Sequence, residues 1–145
     1  MSHRAVVGVT NLKWEVDNSI TYVYLHHGGP DWSGKLLLEH FNYKARAENL
    51  VIMGDLFCLG EDLAKVQAYC QDRGKDWESV KPFTCKQEEF SKIESGHYEF
   101  VYIFDDGKWR FGELDWRSRL RIPKRELTAE IVETYWDNQG SYLFD

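Results

Sequence analysis

The chain has 145 residues, 43% of them hydrophobic and 15% aromatic, with six Trp, eight Tyr and eight Phe. At this length one domain hides roughly 68–70% of its unfolded surface without metals or disulfides, and so aromatic a composition excludes a disordered tail. Eighteen basic against 24 acidic residues, a net charge of −6, exclude a generic binder of nucleic-acid backbones and fall short of the dense acidity of a DNA mimic.

"RAVVGVT" (4–10) and "SITYVYLHH" (19–27) are β-branched and aromatic runs joined by the polar "NLKWEVDN", which predicts two antiparallel strands at the start. "GGPDWSGKL" follows. It fits the first seven places of a phosphate-binding loop, but Leu36 stands where a hydroxyl should reach magnesium, Pro30 lacks an N–H, and Asp31 brings negative charge. The stretch therefore reads as a structural crossover, with Ser33 as N-cap of a helix over about 33–44 whose apolar stripe is Leu37, His40 and Phe41. "ARAENLVIMGDLFCLG" (45–60) reads as a short helix ended near Gly54, then a tight apolar segment ended by Gly60. Residues 62–72 carry both helical and alternating patterns, and periodicity does not decide between helix and strand there.

Residues 86–95 are predicted as an amphipathic helix with Phe90 and Ile93 inward. "HYEFVYIFDDGKWRFGELDW" is a hairpin turning at Asp106-Gly107, its first strand apolar on both faces and hence central in the sheet. A basic segment and Pro123 lead to a last helix over about 124–137, with Leu127, Ile131 and Tyr135 inward. The order ββα…ββα predicts a single α+β domain over residues 1–145, mainly antiparallel, with two to four helices packed on one face.

Cys58, Cys70 and Cys85 form neither a complete disulfide framework nor a C-x-x-C motif, which suits reduced thiols in a cytosol. The N-terminus lacks a secretory pattern and no run of about 18 apolar residues occurs, so the expectation is a soluble protein without a membrane partner.

Five groups carry chemistry that needs weighing. His26, His27 and His40 flank the crossover, where imidazoles act as metal ligands or proton carriers, although adjacent strand residues point to opposite sides. Asp72-Arg73-Gly74 offers an arginine held by its neighbouring aspartate and presented on a glycine turn, against the alternative of a solvated turn. Asp105-Asp106 is accounted for by the hairpin, and Glu113 and Asp115 read as a solvent-facing strand edge. Arg117, Arg119, Arg121, Lys124 and Arg125, with Trp109, Trp116 and Trp136, form the concentrated positive charge, suited to stacking on a base or docking an acidic partner. No serine, threonine or cysteine sits in an activating motif, so neither an enzyme nor a cofactor is implied.

The segments "RAVVGV", "YVYLHHGGPDWSGKLLLEHF", "DRGKDW" and "YEFVYIFDDGKWRF" together resemble a family of small proteins encoded by tailed bacteriophages and prophages, most of them of unknown function. That family's order is a Y-x-H turn, G-K-x-L-L-x-H-[YF], D-R-G-[ED] and an aromatic strand ending in D-G-x-W. The likeness covers most of residues 4–111, with a turn shorter by one residue and Lys75 in place of the usual acid. The resemblance implies an accessory protein in the cytoplasm of an infected bacterium that binds and inhibits a host protein, as a counter-defence protein against CRISPR or restriction would. His26, His40, Trp32, Asp72, Arg73 and Trp77 are the expected binding surface, joined by Arg119 and Arg121. The alternatives are a binder that sequesters a nucleotide signal and a small metal-dependent hydrolase built on His26, His40 and Asp72. The oligomeric state is not fixed by the sequence.

Overall fold

The computed structural model describes residues 3–115 and 117–143, so the predicted patch residue Trp116 lies outside the described residues. Its centre is β1 (Ala5–Thr10), buried along its whole length. β2 (Ser19–Leu25) pairs antiparallel with β1 from Ala5↔Leu25 to Thr10↔Ile20, as the opening hairpin pattern predicts. On its other side β1 pairs in parallel with β6 (Phe100–Asp105), in register Ala5↔Phe100. β7 (Lys108–Glu113) completes the hairpin with β6, and Asp106 and Gly107 both adopt positive φ at its turn. One edge of β2 is shared: β5 (Phe83–Lys86) covers Ser19 to Tyr22, while β3 (Leu56–Cys58) joins at Leu25 and carries β4 (Gln67–Ala68). The path β4-β3-β2-β1-β6-β7, with β5 on β2, is a mixed, mainly antiparallel sheet, and the protein is a single α+β domain.

Alternation along the strands builds two cores. Ala5, Val7, Val9, Val23 and Leu25 face α1 (Lys35–His40), α2 (Lys44–Val51) and α6 (Ala129–Thr134), which contribute Leu36, Leu37, Leu50, Val51, Ile131 and Val132. The opposite face packs Val6, Ile20, Val101 and Ile103 against Leu114, Leu120 and Phe90 of α5 (Gln87–Phe90). Burying each such side chain contributes about 1.5–3 kcal/mol. Trp109 is enclosed as well, and its indole N–H donates to the Phe41 carbonyl at 3.0 Å, which ties the end of α1 to β7.

Element boundaries depart from the sequence pattern in three places. A turn of π-helix, Pro30–Gly34, precedes α1, and Ser33 is not an N-cap: its hydroxyl donates to the His27 carbonyl. The helix expected over 86–95 is shortened to the single turn of α5 (Gln87–Phe90), which follows directly on β5. The last helix starts at Ala129, capped by the Thr128 hydroxyl accepting from the Ile131 N–H at 3.3 Å. Residues 125–127 instead run beside β7, with bonds from Phe111 N to Arg125 O and from Leu127 N to Trp109 O. The ambiguous segment resolves into a 3-10 turn (Leu63–Lys65), β4 and α3 (Tyr69–Arg73).

Candidate functional site: an aromatic and arginine surface at the β2–β3 edge

Along β2, Val23 and Leu25 turn inward to the helices, so Tyr22, Tyr24 and, just past the strand, His26 share the other face. Backbone bonds extend the parallel pairing beyond Leu25: His26 N donates to Leu56 O at 2.9 Å and His27 N to Phe57 O at 3.0 Å. This register lays the His26 ring flat on Phe57, centroids 5.2 Å apart and planes at 13°. The His27 ring meets both edge-on, each at 4.7 Å.

α3 supplies the other half. Tyr69 packs edge-on to Phe57 at 6.0 Å and stacks with Tyr24 at 6.2 Å. Arg73, one turn later on the same helical face, holds its guanidinium 3.6 Å above the Phe57 ring and 6.0 Å from Tyr69. Gly74 ends the helix at φ 67°, and open space surrounds the position a Cβ would take there.

The electrostatics are set by partial burial. Asp55 accepts the Tyr24 N–H at 3.0 Å, and desolvation pushes its carboxyl above the usual range despite that bond. Burial likewise raises the Tyr24, Tyr69 and Tyr98 hydroxyls. His26 moves the other way: desolvation first, then the nearby His27, Arg4 and Arg73, hold its imidazole below 6.5. Its Nδ1 and the Tyr24 hydroxyl are hydrogen-bond partners, 2.5 Å apart. The surface therefore offers aromatic faces, imidazole and guanidinium, with the exposed carboxylates of Asp31 and Asp72 at its margins.

Two shallow clefts bound it. One, of about 260 Å³, is lined by His3, His27, Gly29, Asp31, Trp32 and Cys58, and Trp32 is 55% exposed at its rim. The other, of about 300 Å³, lies between Arg4, Tyr24 and residues 94–98.

Among the residues expected at the site, His26, Arg73 and Trp32 come together on this surface through His27 and Phe57. Asp72 is on the same helix but does not hold Arg73; its carboxylate accepts the Ala68 N–H at 2.8 Å and fixes the start of α3. Trp77 begins α4 (Trp77–Val80) and packs on the Gly54 turn behind Asp55. His40 stays apart: it ends α1 on the opposite face of the sheet, 3.7 Å from Glu39. The three-residue metal site of His26, His40 and Asp72 is thus not assembled, and no group of three metal-ligating side chains converges among the described residues. Glu113 is a further correction: it is 6% exposed rather than solvent-facing, its carboxylate accepting from Tyr135, Gly140 and Tyr142.

Arg119 and Arg121 lie apart from these rings. Arg119 donates its guanidinium to the Lys92 carbonyl at 3.4 Å and its backbone pairs antiparallel with Glu94, which also borders the cleft beside Tyr24, while Arg121 lines a separate cleft beside β7. Tyr24, Phe57 and Tyr69 are the site residues that the sequence did not single out. The alternation Tyr22-x-Tyr24-x-His26 was the available signal for the first; the other two reach the site through pairings invisible in one sequence.

Comparisons with protein-family models, with curated proteins and with solved structures give no match. No helix among the described residues is long and apolar enough to cross a membrane.

Proposed function

We propose that this is a binding protein that docks the Tyr24–His26–Phe57–Tyr69–Arg73 surface, with Trp32 at its rim, onto a host protein and blocks it sterically. The observation that carries this reading is the Arg73 guanidinium seated on the half-buried Phe57 and Tyr69 rings, beside the exposed Trp32. Tyr, Trp and Arg dominate interface hot spots because they bring large, stiff contact area together with hydrogen-bonding ends. Stacking on Phe57 also restrains Arg73 before binding, which reduces the ordering cost of complex formation. The source and role, a phage accessory protein with a counter-defence function in the bacterial cytoplasm, rest on the motif resemblance over residues 4–111.

The test is quantitative affinity capture from bacterial lysate with wild type, Arg73→Glu, Trp32→Ala and His40→Ala as baits. A stoichiometric host protein retained by wild type and His40→Ala, and reduced about tenfold or more by Arg73→Glu, is expected. Equal capture by wild type and Arg73→Glu, with both folded by circular dichroism, would remove this surface from the function.

A further inference from the structure

The opposite edge of the sheet carries a second, differently built site. Arg121, Ile122, Lys124 and Arg125 form one side of a cleft of about 270 Å³ beside β7, with Phe111 at its floor and Tyr142 as the facing wall. The Tyr142 ring is fixed by its contacts: 5.8 Å from Phe111, 6.0 Å and stacked with Tyr135, and 5.0 Å below the Arg125 guanidinium.

The wall is held from the backbone as well. Glu113 accepts the Tyr142 N–H at 3.0 Å and the Gly140 N–H at 3.1 Å, and its own N–H donates to the Tyr142 carbonyl at 3.0 Å. The Tyr142 wall is thus in place before any ligand arrives.

Charge distribution decides what fits. Residues 117–125 hold five cations and no acid, so the net −6 of the whole chain leaves −11 on everything else. A long polyanion reaching beyond the cleft would meet that negative surface, whereas a compact anion would be drawn in. The volume is that of a small molecule, and an aromatic wall beside three cations suits a flat ring joined to phosphate.

We propose that this cleft binds a nucleoside monophosphate, its base taking the place over Tyr142 that the Arg125 guanidinium covers in the free protein, and its phosphate held by Arg121, Lys124 and the displaced Arg125. Because aromatic stacking accepts any base, the site discriminates by charge and size rather than by base identity. It is independent of the protein-docking surface, which lies at the β2–β3 edge.

The experiment is calorimetric titration of the whole chain with AMP, adenosine and inorganic phosphate as separate probes. AMP should bind at least about tenfold more tightly than either fragment, and Arg121→Gln and Tyr142→Leu should each lower that affinity about tenfold. Arg73→Ala should leave it unchanged, which separates this result from the fate of the docking reading. Absence of heat with AMP to ~5 mM, phosphate binding as tightly as AMP, or an unaffected Arg121→Gln variant that melts like wild type would each overturn the proposal.

Discussion

At the scale of single residues, His26 shows how a surface ring acquires a pH dependence. Its imidazole is held below 6.5 in the folded chain by desolvation and by His27, Arg4 and Arg73. The unfolded chain therefore takes up a proton first as the pH falls. Full stability is present above the unfolded value near 6.5, and the contribution declines as the pH drops through that value toward the lower folded one. Asp55 acts in the opposite sense, since its raised carboxyl penalises the charged form and favours the fold at lower pH. Comparing wild type with His26→Gln isolates the histidine. Between pH 7.5 and 5.5 the melting temperature of wild type should fall further than that of the variant; parallel curves would mean the ring is solvated in both states. The sequence marked His26 as chemically notable, but its neighbours were not readable. Phe57 reaches it through a parallel pairing across 30 residues, and no local pattern encodes that register.

At the scale of elements, the Gly-rich crossover separates close packing from conformational need. A Cβ on Gly28 would lie 2.4 Å from the Ala5 Cβ and 2.8 Å from the His3 carbonyl oxygen. Both obstacles belong to the central strand or its lead-in, and neither can swing away. Gly28→Ala should cost at least about 3 kcal/mol or abolish folding, read as loss of soluble protein or a collapsed urea midpoint. Gly74→Ala has open space but keeps φ at 67°, so only backbone strain of about 1–2 kcal/mol is expected. Similar costs for the two would show that β1 yields at Ala5. Local chemistry made several elements legible: Asp106-Gly107 gave the hairpin, and Gly54, at φ 83°, closed the turn after α2. The two missed extended segments share a cause. Segments 83–86 and 125–127 carry little apolar periodicity of their own and become extended only because β2 and β7 offer unpaired edges.

At the scale of the whole molecule, the sheet is closed at its β7 edge by chain from two later segments, residues 125–127 and the tail near Leu143. Glu113 organises the tail. Its buried carboxylate accepts the Tyr135 hydroxyl at 2.8 Å together with the Gly140 and Tyr142 N–H groups. Burial first, and then this hydrogen bond, push the Tyr135 hydroxyl well above its ordinary range, so it remains a donor at any physiological pH. Glu113→Ala would strand three donors and should cost about 3 kcal/mol. Ending the chain at Asn138 removes two of those donors and the Tyr142 packing, for about 2 kcal/mol. Because both changes break the same contacts, the double variant should lose about 3 kcal/mol rather than the total of the two. Urea unfolding of the four proteins measures this directly. Costs that simply add would mean that the tail is held by ring packing alone. Sub-additive costs would establish Glu113 as the residue that joins the last segment to the sheet and keeps the Tyr142 wall in place.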